Sequence, residues 1–219
     1  MKICRFLQAA TPRCGMLVED GVFPLDDLAA TSGEKYLADA LQGGDLRRLL
    51  PTDSAVWRTL CDVVAELSGD PASLQAFSLP RSELTLLPPM ATPSKLLLLA
   101  GNYADHIRES GEVAQERQRT FPYVFMKTPS PTLVGDRSQV HIPSISPDQI
   151  DHEVELAVIM GRTARGVSAA QALDYVAGYT IVNDLSDRNF RPNPTRHQRP
   201  RDPFFDWLHG KWHDGFCPC

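Results

Sequence analysis

The stretch Asp151–Arg188, DHEVELAVIMGRTARGVSAAQALDYVAGYTIVNDLSDR, decides the fold. It reads as strand, turn, helix, strand. In the first strand, Glu153 to Gly161, side chains alternate between faces, so Glu153, Glu155, Ala157 and Ile159 share one face and Val154, Leu156, Val158 and Met160 the other. Apart from the two glutamates the run is apolar, and both faces are expected to be buried. A Glu-x-Glu pair in a strand usually marks a solvated face. Here Ala157 and Ile159 continue the face of the glutamates, and an unpaired ionised carboxylate in such surroundings costs several kcal/mol. A positive partner is therefore expected between them.

The intervening helix is signposted by Ser168-Ala-Ala-Gln171 as a capping box, by Leu173 and Val176 at helical spacing, and by Gly178 at its end. The second strand, Gly178 to Asp184, carries Thr180, Val182 and Asp184 on one face and so delivers a third carboxylate at its end. Three carboxylates with no neighbouring Cys or His pattern form an all-oxygen donor set, which hard divalent ions prefer. The set predicts a Mg2+ or Mn2+ site, with Glu153, Glu155 and Asp184 as ligands and open positions for water and substrate.

The run EVELAVIMG, the following LDYVAGYTIVND, and Ser186 with Arg188 resemble the fumarylacetoacetate hydrolase family. The resemblance implies an α+β, mainly β fold, a mixed β-roll with short helices, whose acidic triad binds a divalent cation at its mouth. It also implies that Arg188 contacts the substrate and the site. One departure is Asp187-Arg188-Asn189, where the family usually has Ala-Arg-Asp. The acid that would support Arg188 is absent from position 189.

Upstream, GNYADHIRESG places His106 and Glu109 three apart on a short polar helix, Ala104 to Ser110, where they face each other. By spacing alone such a pair is a common surface feature. The segment is similar to the family's Asn-Tyr-x-x-His motif, which implies that His106, oriented by Glu109, activates the attacking water, with Tyr103 beside the substrate. A carboxylate beside an imidazole fixes its tautomer and raises its basicity. Residues 111–120 are polar and without apolar period, and the resemblance implies a lid that orders on ligand binding. Lys127, after the strand Phe121 to Met126, reads either as a solvated strand-end lysine or, by likeness to the family's Phe-x-Lys segment, as a substrate or enolate contact. FFDWLHGKWHDG is similar to the family's Gly-Lys-x-x-Asp-Gly motif and implies Lys211 as a second site lysine. His209 and His213 flank it, but the acids that would complete a zinc site are better explained by the triad.

The remaining chain bounds these expectations. With 219 residues, 42% of them hydrophobic, and a net charge of -5, it reads as a globular protein with no basic stripe for nucleic acid. The longest apolar run, Leu96 to Ala100, is too short to span a membrane, and the first seventeen residues lack a secretory pattern. Five cysteines without metal-finger spacing favour reduced thiols in the cytoplasm, and Cys217-Pro-Cys219 lacks the two-residue spacer of redox motifs. Residues 1–90 read as an N-terminal module of short strands (Ile3 to Leu7, Gly15 to Val18, Val22 to Leu25) and two helices (Leu37 to Leu50, Ala55 to Ser68); residues 91–219 form the catalytic domain. Between them and the triad, Lys95 to Ala100 and Val140 to Ile142 read as strands, and the segment after Arg188, RPNPTRHQRPRDP, as a surface loop.

Members of the family usually continue beyond the position of Cys219 through further strands and a Thr-Gly-Thr turn. The expectation is therefore a chain resembling the front portion of a longer protein, with exposed apolar faces and a homodimer, usual for the family, to cover them. The resemblance implies a metal-dependent hydrolase cleaving a carbon-carbon bond in an acylpyruvate or fumarylacetoacetate-like oxo acid. The same parts serve an isomerase, a decarboxylase or a ureidoglycolate-type lyase, and a truncated non-catalytic chain is the reading from a different class. No Gly-x-Gly-x-x-Gly turn supports a dinucleotide site.

Overall fold

Three tight strands open the chain: β1 (Ile3–Gln8), β2 (Thr11–Val18) and β3 (Gly21–Pro24). They form a meander, with Ile3 opposite Met16 and Leu17 opposite Val22. The structure, a computed structural model, describes residues 1–69, 71–109, 121–192, 194–195 and 197–219, without the side chains of Leu67, Ser68, Pro71, Ser73, Ala76, His106 and Glu109. Two short strands, β4 (Leu79–Pro80) and β5 (Thr85–Leu87), complete a five-stranded sheet in the order β4-β3-β2-β1-β5. Four helices, α1 (Leu25–Ser32), α2 (Lys35–Leu41), α3 (Ala55–Ser68) and α4 (Pro71–Ala76), accompany it.

The main apolar core lies here. Phe23, Leu25, Leu28, Leu37, Leu49 and Leu60 pack into one buried cluster, and Cys4, Phe6 and Val22 into a second. The apolar spacing of α3 is the one the sequence predicts. The helix expected over Leu37 to Leu50 is instead broken in two, because Gly43 and Gly44 take φ of 77° and 63°, a left-handed conformation that ends α2. The chain resumes as a 3-10 turn, Leu46–Leu49, whose N-cap Asp45 accepts the backbone N–H of Arg47 at 3.1 Å.

The second half is built from pairs of strands. β6 (Leu96–Ala100) runs antiparallel to β7 (Tyr123–Lys127), with α5 (Ala104–Glu109) after β6. An irregular turn, α6 (Pro129–Thr132), leads into β8 (Leu133–Val134), and β9 (Ile150–Asp151) precedes the central pair, β10 (Val154–Met160) and β11 (Val176–Asn183). Then come β12 (Ser186–Asp187), α7 (Asp202–His209) and β13 (Cys217–Pro218). β12 pairs antiparallel with β9, and β13 parallel with β8. The architecture is the expected mixture of α and β, with more strand than α-helix among the described residues.

Several local expectations give way. Val140 to Ile142 form no strand. Between β10 and β11 the chain makes a 3-10 helix, Ala169–Tyr175, and Ser168 Oγ donates to Gln171 Oε1 at 2.8 Å instead of capping a backbone N–H. Gly178 does not end that helix; it lies within β11 opposite Ile159, beside a register shift. The segment after Arg188 runs into α7, whose first turn holds Pro203.

The largest correction concerns β10. Its Glu153 side is partly buried, but Val154, Leu156, Val158 and Met160 are 48–71% exposed, and their cross-strand neighbours Tyr179 and Ile181 are 58% and 64% exposed. Among the described residues β10 and β11 pair only with each other, and these exposures leave their apolar face uncovered. An open cavity of about 1060 Å3 lies along β11 beside the N-terminal module, lined by Cys4, Leu49, Trp57, Tyr179, Ile181 and Cys219 among others. Asp53 and Arg162 bridge the two halves at 2.9 Å.

Candidate active site

The register of β10 on β11 brings the acids together. Val154 stands opposite Asn183, so the residues flanking that pair, Glu153 and Asp184, meet at the sheet end, where the Asp184 N–H donates to the Glu153 carbonyl at 2.8 Å. The Asn183 side chain accepts the N–H of Glu153 at 3.0 Å. β12 follows directly, and Ser186 Oγ reaches Glu153 Oε1 at 2.9 Å. Lys211 arrives from the turn after α7. The N–H of Asp187 donates to the Gly210 carbonyl at 2.9 Å, and a Cβ on Gly210 would stand 2.4 Å from the Asp187 carbonyl oxygen. Glycine at 210 thus permits the close backbone approach that carries Lys211 inward.

The site is a network of buried charge. Lys211 Nζ contacts both Glu153 oxygens at 3.1 and 3.2 Å, Asp184 Oδ2 at 2.8 Å and Ser186 Oγ at 2.6 Å. Lys127 lies on the other side of the same aspartate: its Nζ is 2.5 Å from Asp184 Oδ1, 2.5 Å from the Phe216 carbonyl and 3.0 Å from that of Leu185. Burial pushes the Lys127 ammonium below the ordinary lysine range, against the opposing pull of Asp184. Asp184 Oδ1 makes this ion pair yet accepts no directed hydrogen bond. Arg188 closes the rim, 2.6 Å from Glu153 and 3.0 Å from Asp151.

Glu155 differs from its neighbours. Burial pushes its carboxyl above the usual range, reinforced by the nearby charges of Asp184 and Glu153 and opposed by hydrogen bonds to Tyr103 and Asn102. The Tyr103 hydroxyl also accepts the N–H of Leu156 at 3.4 Å, which ties α5's leading turn to β10.

Most of the residues singled out in the sequence are therefore neighbours: Glu153, Asp184, Lys127, Lys211 and Arg188 form one cluster, with Glu155 and Tyr103 adjoining it. Of the positive partner expected between Glu153 and Glu155, the Glu153 side is met, by Lys211 and Arg188, whereas the Glu155 carboxyl is hydrogen-bonded to Tyr103 and Asn102. The side chains of His106 and Glu109, and the lid expected at residues 111–120, lie outside the described residues. His213 packs edge-on against Phe190 and Phe216, and burial pushes its imidazole below the ordinary histidine range, opposed by Asp187 and Asp214. Three supporting contacts escaped the sequence reading: that of Asn102 with Glu155, that of Ser186 with Lys211, and that of Asp151, which supplies the acid for Arg188 that position 189 lacks. Only the β9–β12 pairing, Asp151 opposite Ser186, reveals the last.

In donor chemistry the acids suit a hard divalent cation, since all are carboxylates and one buried oxygen of Asp184 has no hydrogen bond. Among the described residues no three His, Cys, Asp or Glu side chains converge as a metal cluster. Glu153 and Asp184 converge instead on the ammonium of Lys211.

Comparisons with known proteins bear on the same residues. The sequence profile of the family described as fumarylacetoacetate (FAA) hydrolase C-terminal matches residues 95–219, which contain the whole site. An uncharacterised protein of Pyrococcus horikoshii is 40% identical over 126 residues, 58% of this chain and 50% of its own length. The human mitochondrial oxaloacetate tautomerase FAHD2A is 36% identical over 140 residues, 64% of this chain and 40% of its own. This chain thus spans about half the length of such relatives. Among solved structures, the maleylpyruvate hydrolase of Sphingobium sp. SYK-6, in complex with manganese(II) ion and pyruvate, superposes with a TM-score of 0.65 over 100% of this chain and 64% of that one. At 22% identity that likeness shows the fold. With the profile covering more than half of its residues, including both strands of the acidic site, the chain belongs to the fumarylacetoacetate hydrolase family.

Proposed function

We propose that this chain carries the acidic half of a divalent-metal-dependent enzyme that cleaves a carbon-carbon bond in an acylpyruvate or fumarylacetoacetate-like oxo acid. One observation carries the reading: buried Asp184 and partly buried Glu153, at the joined ends of β10 and β11, share a lysine and are ringed by Glu155, Lys127 and Arg188. Glu153, Glu155 and Asp184 would hold Mg2+ or Mn2+. When bound, the ion supplies Lewis-acid polarisation of a substrate carbonyl.

The chain's own groups do the remainder. Arg188, the most solvent-accessible cation of the cluster, receives the substrate carboxylate, because a guanidinium offers paired donors to it. By the sequence motif, His106 with Glu109 takes a proton from the attacking water. Lys211 stands where its positive charge favours the enolate that carbon-carbon cleavage expels. Tyr103, hydrogen-bonded to Glu155, borders the same cluster. A homodimer that covers the exposed face of β10 and β11 completes the proposal.

The likeness to oxaloacetate tautomerases supports a second reading, proton transfer on an oxo-diacid without water attack. The two are separated by assaying the Mn2+-loaded chain for loss of an acylpyruvate and for enol-keto conversion of oxaloacetate. Glu153→Gln should abolish the activity found. Undiminished turnover in that variant overturns the metal assignment.

A further inference from the structure

We propose that Lys127 is a positioning residue that holds Asp184 from behind and never touches the substrate. The inference rests on the metal-dependent reading of Asp184 but assigns Lys127 a part that the sequence motif does not. Its side chain is 0% exposed, and its ammonium is enclosed by three protein oxygens: Asp184 Oδ1, the Leu185 carbonyl and the Phe216 carbonyl. Two of its three N–H bonds go to those carbonyls and the ammonium is ion-paired with Asp184, so full burial and these contacts leave it no open side toward an incoming ligand.

The geometry explains what the contact achieves. Asp184 is gripped on both oxygens, Oδ1 by Lys127 and Oδ2 by Lys211. Lys211 shares the mouth with Glu153 and Arg188, whose side chain is one-third exposed. Lys127 comes from β7, on the closed side, and its two carbonyl bonds fasten the end of β7 to the segment after β11 and to the segment before β13. The carboxylate is thereby oriented before any cation arrives. Groups that orient a metal ligand in this way typically change metal affinity by about 10- to 100-fold when removed.

The test has two independent arms on the full chain. In the first, the native protein is reductively methylated with and without Mn2+ and oxalate, and modification of each lysine is read by mass spectrometry. Lys127 is expected to stay unmodified in both states, whereas a Lys127 that is modified freely and protected by oxalate is a ligand contact and overturns the proposal. In the second, free Mn2+ is titrated by electron paramagnetic resonance against wild type and Lys127→Met. The expected result is about 10- to 100-fold weaker Mn2+ binding, with oxalate affinity unchanged once Mn2+ saturates. Equal Mn2+ affinity with lost oxalate binding overturns it. Should Lys127→Met not fold, the labelling arm decides alone. A wild-type chain that binds no Mn2+ refutes the metal reading of the site, while labelling still decides whether Lys127 meets a ligand.

Discussion

Lys211 Nζ lies within 3.2 Å of both oxygens of Glu153, a residue 58 positions away, and within 2.8 Å of Asp184. Lys211 and Asp184 have side chains that are 4% and 3% exposed, so each charge depends on the others. Removing one member of such a buried set leaves an uncompensated charge. Lys211→Met should therefore destabilise the metal-free chain by about 3 kcal/mol, the low end of the usual range because Lys127 still neutralises Asp184. Urea unfolding in EDTA measures this, and a midpoint equal to wild type would show that Glu153 and Asp184 do not need the lysine.

Metal should stabilise the folded chain. A cation bound only by the folded state adds about 2.7 kcal/mol at a hundredfold excess over its dissociation constant. Thermal unfolding with and without Mn2+ should show an upward shift in wild type and none in Glu153→Gln. A transition indifferent to Mn2+ in both would contradict the metal assignment.

The raised carboxyl of Glu155 gives a pH dependence of definite sign. Its folded-state value lies above its unfolded one, so in the interval between them the folded state holds the extra proton. Stability is then lost as pH rises through that interval from the usual glutamate range upward. Glu155→Gln abolishes the loss: in EDTA, its stability relative to wild type should be greater at pH 7 than at pH 4. The opposite trend would mean that Tyr103 and Asn102 favour the ionised form more than burial opposes it.

The uncovered face of β10 and β11 should drive association. Leu156 and Ile181 are cross-strand partners, 63% and 64% exposed. Contiguous apolar surface of this kind marks an interface. Light scattering after gel filtration should report dimers or larger species, and Leu156→Glu with Ile181→Lys should shift the chain to monomer. A wild type monomeric at all concentrations would exclude the homodimer.

Folding itself should depend on the N-terminal core. Leu28 is fully buried within it. Leu28→Ala should cost about 2–5 kcal/mol, read by urea unfolding. A smaller loss would show that this core tolerates collapse around the gap.

The sequence by itself determined the mixed fold and the two strands at whose joined ends Glu153 and Asp184 meet, because apolar runs with period-two alternation are a local signal. It also placed α3, whose apolar stripe is strong. It could not show that Gly43 and Gly44 break the preceding helix, that Asp151 supplies the acid missing from position 189, or that the Lys127 side chain is fully buried. Nor could it tell a buried apolar face from an uncovered one. Those outcomes depend on which strand lies beside β10 and on which backbone carbonyls surround an ammonium 58 or 89 residues away, and long-range pairing of that kind leaves no mark on the spacing of residues along the chain.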